Sequence, residues 1–263
     1  MISNLDFSME TRPFQCDVHG EVEESRAVLK SGPKPWSGCR QCSAERQAEK
    51  ERIEQEEATR KADAERLEKA VGYAAIPPRF SDKSFDTFIP KTDKQRQYLD
   101  YCKNYVANFA KHFDDGTGLL MMGAPGTGKT HLAIATLERV IREHRKRGLY
   151  TTAARMFRRI KSTYDRDSEE TETQVVDIYS QIGLLVMDEI GLGFGSDTEM
   201  NLMFDILNYR YEQKLPTIII SNRQPNELSD WLGDRVVDRL RECCKAMAFD
   251  WKSERRELGR RLA

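Results

Sequence analysis

The sequence lacks three features that would assign the protein to a well-defined class. It contains no run of about 18 consecutive apolar residues, so we expect no membrane-spanning helix. Its first residues have neither the basic start nor the apolar core of a secretory signal peptide, and we therefore expect a cytoplasmic protein. Charge of one sign is not in excess either, because the formal net charge is −1. This balance argues against a protein that coats nucleic acid through bulk charge alone.

Large apolar residues are scarce in one segment, residues 43–71. Only Ile53, Leu67 and Val71 are large and apolar there, and charged side chains dominate the rest. Several glutamates precede an arginine or lysine by four residues, and each such pair stabilises a helix by roughly 0.2–0.5 kcal/mol. A helix that is polar on all sides bridges two folded units but builds no core. The lack of large residues at sustained heptad spacing disfavours a coiled coil.

Short apolar strands alternate with helix-like segments in the rest of the chain. The expected helices are residues 94–112, 131–147 and 201–213, and the expected strands are residues 118–122, 183–187 and 217–220. Such alternation is typical of an α/β domain with a mainly parallel sheet. Pro77 and Pro78 end the charged helix before this domain. The chain is therefore expected to have three parts: a small module at 1–45, a charged helical linker at 46–75 and an α/β domain at 76–263.

Two short motifs in the first part offer four potential metal ligands. Cys16 and His19 form a Cys-x₂-His pair, and Cys39 and Cys42 form a Cys-x₂-Cys pair. Each pair is spaced to bind one ion from a tight turn, as in a zinc ribbon, which predicts a closed and therefore structural Zn²⁺ site. Unliganded thiols in a tail, or another metal such as iron, are the alternatives. The remaining cysteines lack partners at ligand spacing and are expected in the core or in helices: Cys102, Cys243 and Cys244.

A glycine-rich loop between an expected strand and an expected helix matches the Walker A pattern. Its residues are Gly123, Ala124, Pro125, Gly126, Thr127, Gly128, Lys129 and Thr130. The glycines let the backbone amides turn inward, where they cradle phosphate oxygens at a helix N-terminus. Lys129 is expected to reach the β- and γ-phosphates of ATP, and Thr130 is expected to bind Mg²⁺. An ordinary glycine-rich turn is the alternative, which the full match in this context disfavours.

Polar residues follow two of the expected strands. Asp188 and Glu189 end the apolar strand 183–187, as in a Walker B motif. The carboxyl ends of parallel strands face the crevice in which such sheets bind ligands. Asp188 is therefore predicted to hold Mg²⁺, mostly through water, and Glu189 to act as general base on the attacking water. Asn222 follows strand 217–220 and is predicted to orient that water, with a simple turn residue as the alternative.

Cations outside these motifs are candidates for further contacts. Arg235 and Arg239 lie one helical turn apart, and an arginine at a subunit edge can neutralise charge on a nucleotide held by a neighbour. Salt bridges within the helix are the alternative. A second cluster is a candidate contact for single-stranded DNA, through base stacking and phosphate attraction. It comprises Arg158, Arg159, Lys161 and Tyr164. An amphipathic helix that buries Met156, Phe157 and Ile160 is the alternative, and both interpretations are compatible.

Four segments in this order resemble the AAA+ ATPases of the DnaC helicase-loader and IstB-like group. They are the phosphate loop, Leu-Leu-Val-Met-Asp-Glu-Ile-Gly, Ser-Asn-Arg, and Leu-Gly-Asp-Arg-Val-Val-Asp-Arg-Leu, and the likeness extends over residues 76–255. The resemblance implies an AAA+ P-loop NTPase domain, with Asn222 as sensor 1 and Arg239 as an arginine finger acting across protomers. Residues 251–255 resemble the segment that carries a sensor 2 arginine, which implies Arg255, with Arg256 as the alternative.

The same resemblance implies a function and partners. It implies an ATPase that self-associates in the ATP state and delivers a hexameric replicative helicase onto single-stranded DNA. Such loaders engage the helicase through their N-terminal region, which here is a zinc-ribbon-like module, a layout that resembles phage or prophage loaders. The rivals are an IstB-like ATPase that assists transposition and a non-enzymatic adaptor that binds ATP. The presence of Glu189 argues against the adaptor, because a protein that only binds ATP needs no general base.

Overall fold

The computed structural model describes residues 8–191 and 196–254. The chain forms two compact units, Met1–Glu65 and Arg66–Ala263. The expected division into three parts at 45/46 and 75/76 stays a prediction. No helix within the described ranges is long and apolar enough to cross a lipid bilayer.

The first unit contains a small antiparallel sheet followed by most of a long helix. Strands β1 (Ser8–Cys16), β2 (Gly20–Leu29) and β3 (Gly32–Pro33) lie in the order β1-β2-β3. Cys16 pairs with Gly20, so residues 17–19 form the hairpin turn. Helix α1 (Arg40–Tyr73) has no buried residue, which agrees with the prediction of a helix that is polar on all sides. The helix begins before residue 43, so Cys42 lies in its first turn.

The second unit is built on a five-stranded sheet in which every pairing is parallel. Its strands are β4 (Gly118–Gly123), β5 (Gly148–Thr152), β6 (Leu184–Ile190), β7 (Thr217–Ser221) and β8 (Cys244–Phe249). They lie in the order β5-β6-β7-β4-β8. The predicted α/β fold with a mainly parallel sheet is therefore confirmed. The edge strand β8 was not expected from the sequence, because only Met247 and Phe249 of its six residues are buried.

Helices cover both faces of this sheet. They are α2 (Asp93–Ala107), α3 (Phe109–Asp115), α4 (Lys129–His144), α5 (Ala153–Ser162), α6 (Glu172–Gln181), α7 (Asp197–Glu212), α8 (Pro225–Leu232) and α9 (Asp234–Cys243). The expected helix 94–112 is divided at Asn108, whose φ of −106° and ψ of 20° are not helical. The Asn108 side chain donates to the Asn104 carbonyl oxygen and so competes with the helical hydrogen bonds.

The alternation of side chains along the strands divides the core into two clusters. Leu119 and Met121 of β4 pack on the face covered by α2 and α4, whereas Leu120 between them packs on the face covered by α5, α7 and α9. Successive side chains of a strand point to opposite faces, so each buried strand contributes to both clusters. A rigid sheet between two helical layers places the loops at the carboxyl ends of its strands at one edge.

A buried arginine connects the segments at the opposite, amino edge of the sheet. Arg210 of α7 is 1% exposed and donates to Thr217 Oγ1 at 2.8 Å and to the Pro216 carbonyl oxygen at 2.7 Å. It also donates to the carbonyl oxygens of Tyr179, Ser180 and Ile182 at the end of α6. Burial lowers the pKa of Arg210 to about 9, because only neutral acceptors surround the cation. The sequence patterns did not single out this residue.

Candidate nucleotide and metal sites

The phosphate loop joins β4 to α4, and three of its glycines have positive φ angles. These are 143° at Gly123, 81° at Gly126 and 94° at Gly128, a region that other residues rarely adopt. Packing also requires glycine at two of them. A Cβ on Gly123 would lie 2.2 Å from the Phe249 carbonyl oxygen, and one on Gly128 would lie 2.7 Å from the Phe88 ring. The glycines therefore serve the turn and its packing at the same time.

Lys129 folds back over the loop that precedes it. Its Nζ donates to the carbonyl oxygens of Gly123 at 2.7 Å and Ala124 at 2.8 Å. The residue is 4% exposed. Thr127 Oγ1 donates to the same Ala124 oxygen at 2.8 Å and so closes the turn. The ammonium group therefore lies inside the curve of the loop, the region where a Walker A motif binds phosphates.

Asp188 receives three hydrogen bonds that fix its carboxylate. Thr130 Oγ1 donates to Oδ2 at 2.8 Å, and the Tyr150 hydroxyl donates to the same oxygen at 3.0 Å. The backbone N–H of Glu189 donates to Oδ1 at 2.7 Å. The structure thus brings together the two residues predicted to bind Mg²⁺. A hydroxyl and a carboxylate in contact fit Mg²⁺, because this ion prefers oxygen ligands and uses few protein groups.

Strand β6 is irregular where the predicted general base lies. The register between β6 and β7 shifts between Met187 and Ile190, a stretch that includes Asp188 and Glu189. Glu189 has a φ of 58°, a left-handed conformation that costs a non-glycine residue roughly 1–2 kcal/mol. Bulges near functional sites redirect side chains. Here the bulge leaves Asp188 buried and Glu189 exposed at the carboxyl end of the sheet.

Asn222 directly follows β7 beside these groups. Ser221, the last residue of β7, pairs with Met122 on one side and with Ile190 on the other. The Ser221 hydroxyl donates to the Ile190 carbonyl oxygen at 2.8 Å. Asn222 therefore leaves the sheet between the start of the phosphate loop and the end of the β6 bulge. Its half-buried side chain is near both elements by register.

A cavity of about 360 Å³ adjoins the loop and has a size typical of small-molecule pockets. Its wall includes residues 87–89, Lys91 and Gln95, residues 126–128 of the loop, His131 and Glu254. The backbone N–H of Glu254 donates to the Gly126 carbonyl oxygen at 2.9 Å. The Trp251 indole N–H donates to the Thr127 carbonyl oxygen at 3.0 Å. The chain after β8 thus holds the outer side of the phosphate loop.

The structure does not bring Arg239 to the phosphate loop of its own chain. Its guanidinium lies over the Tyr211 ring at 5.2 Å and the Phe204 ring at 5.8 Å, both on α7. It lines a small cavity together with Gly116 and Leu215, which precede β4 and β7 and so lie at the amino edge of the sheet. Arg235, one turn earlier, is exposed. Two further arginines lie outside the described residues: Arg255 and Arg256.

The residues predicted to contact DNA differ in their exposure and in the ion pairs that they form within the chain. Those residues are Arg158, Arg159, Lys161 and Tyr164. Arg159 forms a bidentate ion pair with Glu170, and Lys161 donates to Glu199 Oε1 at 2.7 Å. Arg158 and Tyr164 are exposed, Tyr164 by 57%. As expected, α5 buries its apolar residues Met156, Phe157 and Ile160.

The four candidate metal ligands of the first unit converge on one point. Their ligand atoms, Cys16 Sγ, His19 Nδ1, Cys39 Sγ and Cys42 Sγ, all lie within 4.8 Å of one another. Cys16 Sγ is 3.5 Å from Cys42 Sγ and 3.8 Å from His19 Nδ1, which in turn lies 3.6 Å from Cys39 Sγ. Tetrahedral Zn²⁺ with ordinary bond lengths sets these edges at roughly 3.6–3.8 Å. The arrangement therefore fits a closed four-ligand zinc site.

Groups next to this cluster support the same chemistry. The backbone N–H groups of Val18 and His19 bond to Cys16 and lower the pKa of its thiol to about 6, which favours the thiolate there, whereas the neighbouring Cys16 raises the pKa of the Cys42 thiol to about 11. His19 Nε2 lies 3.1 Å from Glu45 Oε1 on α1. A carboxylate on the second ring nitrogen fixes the orientation and tautomer of a metal-binding histidine. The geometry therefore directs Nδ1 towards the thiols.

Three of the contributing residues were not found from the sequence. Tyr150 and Trp251 touch the nucleotide-site residues only after folding. No local pattern marks Tyr150, and the resemblance of residues 251–255 to a sensor 2 segment does not reveal that Trp251 bonds to the phosphate loop. Glu45 carries a weak signal, because it lies one helical turn after Cys42 in a segment predicted to be helical. The role of Glu45 became clear only from the structure, which places His19 of the hairpin turn next to it.

Comparisons with known proteins agree with the fold and with the resemblance of the motifs. A family model described as IstB-like ATP binding protein matches residues 41–260. The replicative helicase loader DnaC of Buchnera aphidicola subsp. Acyrthosiphon pisum is 31% identical over 208 residues, which cover 79% of this chain and 83% of that protein. DnaC of Escherichia coli is also 31% identical, over 195 residues that cover 73% of this chain and 77% of that protein.

Solved structures are similar to this chain over 65–72% of its length. A crystal structure of the DnaC helicase loader has a TM-score of 0.60 at 29% identity and is matched over 65% of this chain and 99% of that chain. AMPPCP-bound DnaA from Aquifex aeolicus has a TM-score of 0.55 at 22% identity, over 72% of this chain and 56% of that chain, and shows the fold alone. The predicted AAA+ P-loop fold and the resemblance to the DnaC and IstB-like group are confirmed.

Proposed function

Because the chain belongs to the family of IstB-like ATP binding proteins, we propose that it is an ATPase that loads a replicative helicase onto single-stranded DNA. The observation that carries the ATPase part is the contact between Thr130 of the phosphate loop and Asp188 of β6, beside the exposed Glu189. The loader part is supported by the similarity to DnaC proteins over 79% of the chain. A cytoplasmic location follows from this role.

The proposed hydrolysis assigns one task to each group. The loop amides and Lys129 bind the phosphates, and the Lys129 ammonium exchanges its two carbonyl partners for phosphate oxygens. Thr130 and Asp188 would hold Mg²⁺, which neutralises charge on the phosphates when bound. Glu189 accepts the proton of the attacking water, and Asn222 orients that water. The exposed position of Glu189 leaves its carboxylate open to solvent water.

Self-association in the ATP state supplies the missing positive charge in this scheme. An arginine of a neighbouring protomer would neutralise the transferring phosphate. Arg239 is the candidate from the sequence, and it must leave the Tyr211 and Phe204 rings to act in this way. Arg235 on the same helix is exposed, so we propose the α9 surface as the source of the arginine and test both residues.

The cluster in the first unit is proposed to hold one structural Zn²⁺, and this unit is proposed to bind the helicase. The closed Cys₃His ligand set supports the metal, and the size of the cluster edges agrees with Zn²⁺. The family match begins at residue 41 and so leaves the metal-bearing hairpin outside the shared ATPase region. Because the hairpin lies outside the matched region, it is free to bind the helicase separately from the ATPase domain. Deletion of residues 1–45 should therefore abolish helicase binding, and unchanged binding would refute the attachment.

Single-stranded DNA is the proposed second partner, contacted by α5 and the residues after it. Arg158 and Tyr164 carry this proposal, because both are exposed, and the bond of the Tyr164 hydroxyl to Glu172 does not involve the ring face that stacks on a base. Arg159 and Lys161 contribute less, since each would have to leave a carboxylate of its own chain. Stacking of a base on Tyr164 is worth about 1–3 kcal/mol in comparable sites.

ATP binding and hydrolysis are tested by two substitutions with different expected results. Lys129→Ala should abolish nucleotide binding, because it removes the cation at the phosphates. Glu189→Gln should keep nucleotide binding and lower hydrolysis by about a hundredfold or more, because it removes only the base. Hydrolysis by Glu189→Gln at the wild-type rate would exclude Glu189 as the base, and tight ATP binding by Lys129→Ala would exclude the phosphate-loop assignment.

The loader function is tested with candidate helicases and single-stranded DNA coated with its binding protein. Wild-type protein with ATP should promote helicase-dependent unwinding, and Lys129→Ala should not. Co-purification with a transposase instead of a helicase would favour the IstB-like role in transposition. ATP binding without any hydrolysis in the presence of DNA and helicase would favour the adaptor.

A further inference from the structure

Tyr150 is a buried residue of β5 whose hydroxyl reaches the nucleotide site from the edge of the sheet. Its side chain is part of the core on the α4 face and the residue is 3% exposed. The hydroxyl donates to Asp188 Oδ2 at 3.0 Å. Burial, and then the Asp188 charge, raise the pKa of Tyr150 above its usual value. No step of the proposed hydrolysis uses this contact.

The contact comes from an element that does not belong to the phosphate loop. Oδ2 of Asp188 also accepts from Thr130, but Thr130 is itself a proposed Mg²⁺ ligand and its position depends on the loop. Tyr150 is held independently of the loop. It pairs with Val186 of β6, and its backbone N–H donates to the Ala74 carbonyl oxygen at 2.8 Å on the outer edge of the sheet. The backbone that carries the hydroxyl is thus held by strand pairing with β6 on one side and by a single hydrogen bond to Ala74 on the other.

We propose that Tyr150 is a positioning residue that fixes the Asp188 carboxylate for Mg²⁺ and so sets the magnesium dependence of nucleotide binding. The inference rests on the proposed function of Asp188. With the hydroxyl removed, the carboxylate gains rotational freedom about its side-chain bonds, and the ion loses a preorganised ligand. Groups that orient metal ligands in this way account for roughly 10–100-fold in metal affinity. A purely structural tyrosine would change stability and leave the magnesium dependence unchanged.

A matched control exists in the same unit. Tyr105 is also buried, at 0% exposure, and its hydroxyl donates to the Thr117 carbonyl oxygen at 2.7 Å. Thr117 directly precedes β4 and so lies at the amino edge of the sheet, at the opposite end of this strand from the phosphate loop. Tyr105→Phe and Tyr150→Phe therefore remove the same group from equally buried rings, and only the second touches the site.

The test measures binding of a fluorescent ATP analogue to the full chain during titration with Mg²⁺ and in EDTA. Tyr150→Phe should raise the half-saturating Mg²⁺ concentration about tenfold, while binding in EDTA and binding by Tyr105→Phe match the wild type. In an Asp188→Asn background, Tyr150→Phe should have no further effect. A Tyr150→Phe titration that overlays the wild-type curve, or an equal shift in both backgrounds, refutes the inference.

Failure of the underlying function has a different signature. If wild-type protein binds no ATP, or binds it equally with and without Mg²⁺, the proposed role of Asp188 is wrong and the inference falls with it. Should Tyr150→Phe not fold, Tyr150→His replaces it in the same titrations and should shift the half-saturating Mg²⁺ concentration in the wild-type background and not in the Asp188→Asn background. Equal behaviour of the two backgrounds overturns the positioning role.

Discussion

Replacement of Cys39 by serine should release the metal and unfold the module that contains it. Cys39 supplies one of four converging ligands. Structural zinc sites contribute on the order of 10–16 kcal/mol of binding free energy, so one ligand in four accounts for roughly a quarter of it. Loss of one thiolate should therefore weaken zinc binding by about a hundred- to a thousandfold.

The structural effect follows from what the module buries. Among the described residues of the first unit, the buried ones are Cys16, Glu24, Ser25 and Cys39. No aliphatic or aromatic side chain of that part of the chain is fully buried, so little apolar burial compensates for the loss of chain entropy. The metal is then the main source of folding energy for the hairpin and its connection to α1. The second unit, which has both hydrophobic clusters, should stay folded and bind nucleotide.

Three measurements check this reasoning. Elemental analysis of protein purified under reducing, chelator-free conditions should give one zinc per chain for the wild type and for Cys243→Ser, which removes a thiol outside the cluster. Competition with a chromophoric chelator should show that Cys39→Ser binds zinc with far lower affinity than the wild type. The zinc affinity of Glu45→Gln, which keeps all four ligands, should be about tenfold lower than that of the wild type. Limited trypsin digestion should cut residues 8–40 only in Cys39→Ser.

Three results would refute the argument. Wild-type protein with a metal content near zero would exclude the zinc site. Cys39→Ser protein with wild-type zinc affinity would exclude Cys39 as a ligand. Trypsin resistance of metal-free protein would show that the module folds without the ion, whatever the affinity.

Three further predictions concern the second unit. Arg239→Ala should bind ATP yet lose hydrolysis in assembled protein, and mixing with Lys129→Ala should restore turnover if the arginine acts in trans; no recovery at any ratio, with assembly confirmed, speaks against it. Arg210→Met should lower the free energy of unfolding, measured by chemical denaturation, by about 3–5 kcal/mol, because it leaves buried acceptors unpaired. Arg96→Met on the exposed surface is the control and should change this free energy by less than about 0.5 kcal/mol. Arg158→Ala should weaken single-stranded DNA binding and lower its salt dependence by about one phosphate contact, and an unchanged salt slope in a fluorescence titration would exclude this contact.

Local patterns were sufficient for several parts of the fold and of the candidate sites. The phosphate loop, the acidic end of β6 and the strand after α7 are each a short run of consecutive residues, so the local sequence alone predicts them. The charged helix was predicted for the same reason, since its i,i+4 pairs and its lack of large residues are local. The mainly parallel sheet and the family resemblance were inferred from these local patterns, and both are confirmed. The roles assigned to the individual site residues stay predictions.

Other predictions failed or were missing because they depend on hydrogen bonds that an apolar pattern does not reveal. The break at Asn108 arises from a side chain that competes for a backbone acceptor one turn earlier, an outcome that the apolar period of the segment does not reveal. Strand β8 has too few buried residues to stand out from the sequence, and it is a strand because β4 pairs with it along its length. The periodicity of apolar residues indicates which side of a segment is buried. It does not predict the helix break at Asn108 or strand β8, because both depend on hydrogen bonds.

The sequence by itself determined which chemical groups the protein has and which of them are neighbours along the chain. The tertiary structure decided which groups meet. Tyr150 and Asp188 are 38 positions apart, and Trp251 and Thr127 are 124 apart, yet each pair forms a direct hydrogen bond. The choice of Tyr150 for the Asp188 carboxylate depends on the order of strands in the sheet, which places β5 next to β6. Strand order is a property of the whole packed domain, because the entropy and burial that select it are summed over all its elements.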